Sequence, residues 1–324
     1  MSVNNFKPSF LLKPAGVQTF LASAGLRAWG SNPMLQAARQ TVLTTDEGVR
    51  LLGYMSRQRR PHDKGVVVLL HGWEGSANST YIRTTGRALF RRGFDVFRLN
   101  FRDHGPSHHL NVGLFYAVLL DEVFDAVRQI AAAEFPRPVF LAGFSLGGNF
   151  ALRIARQCIQ RPIANLKQVV AVSPVLDPDK ATDRIDETRW ILKYFLRKWR
   201  RSLTAKARLY PDRYDFSDVM AVGSIREMTE RLLRRYSPYG SARDYFNGYT
   251  LTHDALAGIR VPTIIITATD DPIIPVADFH DLELSPATQL MVLPHGGHNG
   301  FVQGWRLNGW YERLMAATFG GNPD

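Results

Sequence analysis

The sequence predicts an α/β protein, a mostly parallel central sheet flanked by helices and interrupted by a helical insertion. Three observations predict it. Short apolar runs alternate with helical patterns from about residue 41 to residue 174. The alternation stops after Pro174 and returns near residue 263. Between a strand-like run and a helical one stands a serine framed by glycines, Gly143-Phe144-Ser145-Leu146-Gly147. Runs of β-branched residues this short suit strands buried on both faces, and their alternation with helices argues a parallel sheet.

In chain order, residues 41–45 and 49–54 read as an antiparallel pair around the turn Asp46-Glu47-Gly48. Strands follow at 66–70, 95–99, 139–142 and 169–172, and helices at 81–92, 117–133 and 146–160. Residues 175–252 carry basic, helical segments and no clear strand. Strands return at 263–268 and 290–293. An amphipathic helix over 305–319 closes the chain, with Trp310, Leu314 and Met315 on its apolar side. The expected organisation is a core of residues 1–174 and 253–324, with 1–40 as an N-terminal extension and 175–252 as a helical cap.

The 324 residues suffice for one large core or a core plus an inserted subdomain. The apolar runs are far shorter than the roughly 20 residues a membrane-spanning helix needs. Residues 10–29 are mildly apolar, but Lys13, Pro14, Gln18 and Arg27 interrupt them, so no secretory signal is read there. The single cysteine, Cys158, rules out an internal disulfide and fits a reducing, cytoplasmic setting. The net charge of +11 raises the question of nucleic acid. The basic residues are spread along the chain, and no zinc-finger spacing or RNA-recognition signature is present, so no nucleic-acid partner is expected. Such a surface also favours encounter with anionic substrates or an anionic membrane surface.

The strongest chemical signal is the turn around Ser145. It follows a strand and opens a helix, the setting of a nucleophile elbow. Glycines at 143 and 147 remove side chains that would clash in so tight a turn. The segment His71-Gly72-Trp73-Glu74-Gly75 follows the strand at 66–70. Two backbone N–H groups are expected to face a developing oxyanion, that of Trp73 and that of Leu146. His71 reads as a structural histidine. The base comes late in the chain, where His295 and His298 are available, and His298 between glycines is favoured. The acid that orients it lies among Asp270, Asp271 and Asp177. His104, His108 and His109 lack partners at metal-ligand spacing, so no metal is expected, and no glycine motif matches a nucleotide fingerprint.

In the insertion, Ile191, Leu192, Phe195, Leu196 and Trp199 form one stripe at helical spacing. Lys193, Arg197, Arg200 and Arg201 lie mainly away from it. Two readings of the stripe stand: a cap helix packed on the core, or an interfacial helix in peripheral contact with an anionic lipid surface.

The chain resembles the YheT-like branch of the α/β hydrolases. The matching stretches are Leu70-His71-Gly72-Trp73-Glu74-Gly75-Ser76, Asn78-Ser79-Thr80-Tyr81, Asn100-Phe101-Arg102, Gly143 through Asn149, Asp270-Asp271-Pro272 and His295 through Phe301. Phe6-Lys7-Pro8 and Gln18-Thr19 are similar to that branch's N-terminal segment. The chain departs from it at Asp103-His104. The resemblance implies an α/β-hydrolase fold, a Ser145–Asp271–His298 triad, no cofactor, and a carboxylic ester hydrolase. Related proteins are described as short-chain carboxylesterases or as monoacylglycerol and phospholipid lipases. An acyltransferase on the same triad, or a non-catalytic lipid-binding protein on this scaffold, are the alternatives.

Overall fold

The computed structural model describes residues 6–59 and 64–321. Eight strands form one sheet: β1 (Ala38–Thr44), β2 (Arg50–Ser56), β3 (Val66–Leu70), β4 (Asp95–Leu99), β5 (Val139–Phe144), β6 (Leu166–Val172), β7 (Thr263–Ala268) and β8 (Thr288–Leu293). Their spatial order is β1-β2-β4-β3-β5-β6-β7-β8. The first three in that order pair antiparallel, and from β4 through β8 all pairs are parallel. β3, β4, β5 and β7 are buried along their whole length, as strands covered on both faces must be.

Alternate strand residues serve two cores, because side chains point to opposite faces with a period of two. Val67, Leu69, Ala142 and Val170 pack with α3 (Thr80–Phe90) and the closing helix (Trp310–Phe319). Val66, Val68, Leu141 and Val169 pack with α4 (Leu120–Glu134) and α5 (Leu146–Gln157) on the other face. Before the sheet, α1 (Ala15–Ser23) and the short α2 (Pro33–Gln36) lie in the N-terminal segment.

Between β6 and β7 come α6 (Pro178–Glu187), α7 (Arg189–Leu209), α8 (Ser217–Met220), α9 (Ile225–Tyr236) and α10 (Ala242–Asn247). Their apolar faces, including Leu196, Trp199, Leu203, Leu232 and Phe246, join the core on the α4/α5 side. Lys206 of α7 is also buried. Its ammonium donates to Asp103 Oδ1 at 2.7 Å and to the carbonyls of Asn111 and Gly113 at 2.7 and 3.1 Å. That ion pair fastens the insertion to the loop after β4.

The final helix starts later than the pattern from residue 305 predicts. Val302–Gln303 and Asn308–Gly309 (β9, β10) form a small hairpin first, and α11 is Trp310–Phe319. Gly304 and Leu307 take left-handed φ values of 69° and 51°, which a helix excludes. Trp305 stands at the hairpin tip, exposed.

Candidate active site

In a parallel sheet the loops leaving the carboxyl ends of the strands gather at one edge. Register brings them together here. Leu70 of β3 pairs with Gly143 of β5, and Ala268 of β7 with Leu293 of β8. The loops carrying residues 71–75, 145, 270–271 and 295–299 therefore leave the same edge.

Ser145 has φ 55° and ψ −119°, a strained conformation for a residue with a side chain. Its N–H donates to the Val172 carbonyl at 2.9 Å, and α5 begins at the next residue. A Cβ on Gly143 would collide with the carbonyl of Gly147, and one on Gly147 with the carbonyls of Leu70 and His71. The glycines thus let the turn close on itself and on β3. Between Val139 and Ala151, Ser145 alone is not fully buried. Strained residues store energy that surrounding structure must supply, and they cluster at functional sites. Glu74, Asp103, Ser173, Asn299 and Phe301, all in loops at this edge, also have positive φ.

The loop after β3 lies against the serine, since a Cβ on Gly72 would be 3.1 Å from the Ser145 Cβ. Three braces hold it. The Gly72 N–H donates to the Tyr81 hydroxyl at 3.0 Å. The Glu74 N–H donates to His104 Nε2 at 3.2 Å, and the Glu74 carbonyl accepts from Lys198 Nζ at 2.8 Å. Buried His71 accepts from the Phe101 N–H through Nε2, so its Nδ1–H donates to the Gly72 carbonyl. Burial, with His104 beside it, holds His71 well below the ordinary histidine range, so it stays neutral. Among the described residues, the N–H groups of Trp73 and Leu146 have no hydrogen-bond acceptor. Leu146 is the first residue of α5, where an N–H has no partner within the helix.

His298 Nε2 is 2.9 Å from Ser145 Oγ, and His298 Nδ1 is 2.9 Å from Asp271 Oδ2. A carboxylate at Nδ1 fixes the proton there, so Nε2 accepts from the serine hydroxyl. Asp271 is held in turn, because its Oδ1 accepts from the N–H groups of Ile273 and Ile274 at 2.8 and 3.0 Å. The other acids are engaged elsewhere. Asp270 Oδ1 accepts from the Gly297 N–H at 2.9 Å, and Oδ2 is 3.5 Å from His295. Asp177 caps α6, accepting from the N–H groups of Asp179 and Lys180. His104 and His108 are also occupied, one on Glu74 and the other on Ser202 Oγ. Burial pushes each down to about 4.

Composition and periodicity do not reveal the part played by α1, although Gln18-Thr19 belong to the resemblance. The His298 N–H donates to Thr19 Oγ1 at 2.9 Å. Buried Gln18 donates to the Val302 carbonyl and accepts from the Val302 N–H. The Asn299 N–H donates to Ser173 Oγ at 3.2 Å.

Two spaces open from Ser145. One is an apolar cavity of about 130 Å³ under the insertion, lined by Leu146, Phe195, Trp199 and Leu232 among others. Trp73 stacks on Phe195 and meets Trp199 edge-on, both at 5.1 Å, so the aromatic stripe of α7 faces the loop beside the serine. The other is a wide cleft of about 1050 Å³ that reaches His298, Thr19 and the polar side of α7. Lys198 and Arg201 border that cleft, whereas Arg200 turns into the insertion and donates to the Val222 carbonyl at 2.6 Å.

A family model described as "Alpha/beta hydrolase family" matches residues 67–304, and the chain belongs to that family. It is similar to "Putative esterase YheT" of Escherichia coli, 25% identical over 265 residues, covering 79% of this chain and 76% of the relative. It is also similar to "Putative esterase slr0264" of Synechocystis, 24% identical over 286 residues, covering 81% and 76%. Among solved structures, a hyperthermophilic esterase from the archaeon Pyrobaculum calidifontis superposes with a TM-score of 0.58 at 17% identity, covering 95% of this chain and 90% of that one. At that identity the structural likeness speaks for the fold alone. No helix among the described residues is long and apolar enough to cross a membrane.

Proposed function

We propose that this chain is a carboxylic ester hydrolase working through an acyl-enzyme on Ser145, with residues 175–252 as a cap over the site. The observation that carries the reading is the unbroken relay Ser145 Oγ–His298–Asp271 at hydrogen-bond distances. Ser145 Oγ attacks the ester carbonyl carbon while His298 Nε2 takes its proton. The carbonyl oxygen becomes an oxyanion facing the Trp73 and Leu146 N–H groups. Each such donor is worth about 3 kcal/mol in the transition state. The bond to the leaving alcohol breaks as His298 returns the proton to it. Water then adds to the acyl carbon by the same route, releasing the acid and restoring Ser145. Asp271 keeps the imidazole in the required tautomer and balances imidazolium as it forms.

The apolar cavity suits the acyl chain, and its volume approaches the roughly 150 Å³ cavity that accommodates benzene. That favours short acyl groups over long ones. Such chemistry needs no cofactor, and one half-buried thiol, Cys158, is compatible with a reducing, cytoplasmic setting. An ester panel from acetyl to long acyl, run with wild type and Ser145→Ala, tests the proposal. Turnover greatest with short chains and absent in folded Ser145→Ala is expected. Wild-type turnover in Ser145→Ala would refute it, and so would inert wild type that takes up no fluorophosphonate.

A further inference from the structure

Ser145 lies between an apolar cavity and a wider, more polar cleft, and of the two His298 borders only the cleft. The leaving alcohol must take its proton from His298, so in the ester-hydrolase reading the alcohol half lies in the cleft. One wall of that cleft is α7, which presents Arg197, Lys198 and Arg201. Arg197 and Arg201 are one helical turn apart and share a face. We infer that the cleft selects esters whose alcohol carries an anionic group such as phosphate, with Arg197 and Arg201 as its binding residues.

The pairing of neighbouring charges supports this. Lys198 is tied to the Glu74 carbonyl, Arg200 to the Val222 carbonyl, and Lys206 to Asp103. Arg197 and Arg201 have no hydrogen-bond or ion-pair partner among the described residues, although most salt bridges elsewhere in the protein use arginine. Nor does the cleft supply a free carboxylate to balance them. Its acidic residues are Glu74 and Asp103. Asp103 is spent on Lys206, and burial pushes the Glu74 carboxyl up to about 8. Two exposed guanidinium groups on one helical face, with no partner carboxylate, suit the charge of a phosphate. The cleft is ample for a polyol phosphate, whereas the cavity beside it is not polar enough for one.

The test compares butyryl esters that share one acyl group: butyrylglycerol, butyrylglycerol phosphate and butyrylcholine, all soluble as monomers. Wild type is expected to give a kcat/KM for the phosphate ester at least about tenfold above butyrylglycerol, consistent with a charge-assisted hydrogen bond. Butyrylcholine should be the poorest, and the gap should narrow as salt rises. Arg197→Gln with Arg201→Gln should collapse the preference for phosphate, while Arg200→Gln leaves it intact. Equal turnover of the phosphate and neutral esters by wild type would overturn the inference. A phosphate preference that appears only when anionic vesicles are added would overturn it as well, assigning the arginines to a membrane surface. Failure of the ester-hydrolase reading looks different, with no ester turned over and no labelling of Ser145.

Discussion

The two loops that meet at the Ser145–His298 hydrogen bond are held by different parts of the chain. The turn after β5 fixes itself. Gly143 and Gly147 close on one another, and the Ser145 N–H reaches only the adjacent strand β6. The loop after β8 is fixed from outside. The His298 N–H rests on Thr19, 279 residues away in sequence, and Cβ atoms on Gly297 or Gly300 would strike α1. The loop after β3 is intermediate, braced by Tyr81 and His104, 9 and 30 residues along the chain from their partners, and by one remote residue, Lys198, 124 residues away. A self-contained turn keeps its geometry when distant residues change. A loop braced remotely passes distant changes directly to the reacting atoms.

The largest expected effect concerns the histidine side. Asp271→Asn should lower kcat by about 10⁴, the cost of losing the matching carboxylate in a serine-protease triad. Asp270→Asn and Asp177→Asn should cost far less, since their carboxylates brace Gly297 and cap α6. A large loss for Asp177→Asn with Asp271→Asn near wild type would place the acid on the wrong strand. Steady-state kinetics on all three variants decides it.

A smaller effect sharpens the contrast between the loops. Thr19→Val removes the acceptor for the His298 N–H and should lower kcat by about tenfold with little change in KM, a modest share of the roughly 10²-fold that a 1 Å misplacement can cost. Thr19→Ser keeps the hydroxyl and should restore kcat. Equal losses in both variants would show that α1 acts through packing alone. Fluorophosphonate labelling rates should follow kcat, because the same proton transfer is needed.

The smallest expected effect is on stability, in the loop after β3. Burial raises Glu74, with Asp103 adding to the shift and Lys198 opposing it. A carboxyl with a folded value near 8 and an ordinary value near 4.5 takes up a proton on folding. Its contribution to stability is therefore lost as pH rises from about 4.5 to 8. Glu74→Gln should melt a few degrees above wild type at pH 8 and level with it at pH 4.5. Calorimetry at both values checks this, and a gap of the same size at both would refute the raised value.

Much of the fold was legible because its signals are local. β3, β5 and the second half of β6 are continuous apolar or glycine-containing runs, β7 is a run of isoleucines between threonines, and the elbow carries its own glycines. The residues around the acid leave Asp270, Asp271 and Asp177 open, and it is the resemblance that singles out Asp271, because the choice between Asp270 and Asp271 depends on side-chain direction at a strand end. The bracing by Thr19 and Gln18 was not legible. Nothing in a short helix at the start of the chain marks which loop near its other end it meets. The start of α11 was misplaced for a related reason, since the left-handed turn at Gly304 and Leu307 interrupts a pattern that reads as helix. Arg200 shows the same limit. Helical spacing groups it with Arg201 as solvent-facing, yet only the packed insertion reveals that it points at Val222.

In the ester-hydrolase reading, Ser145 forms a covalent acyl-enzyme with an ester substrate. Intact-protein mass spectrometry after rapid acid quenching of a butyryl ester reaction tests it most directly, with peptide mapping to locate the adduct. One butyryl group on the peptide containing Ser145 is predicted, at a level that rises in any variant whose deacylation is slowed and is absent in Ser145→Ala. An adduct at another residue, or an unchanged adduct in Ser145→Ala, would contradict the account.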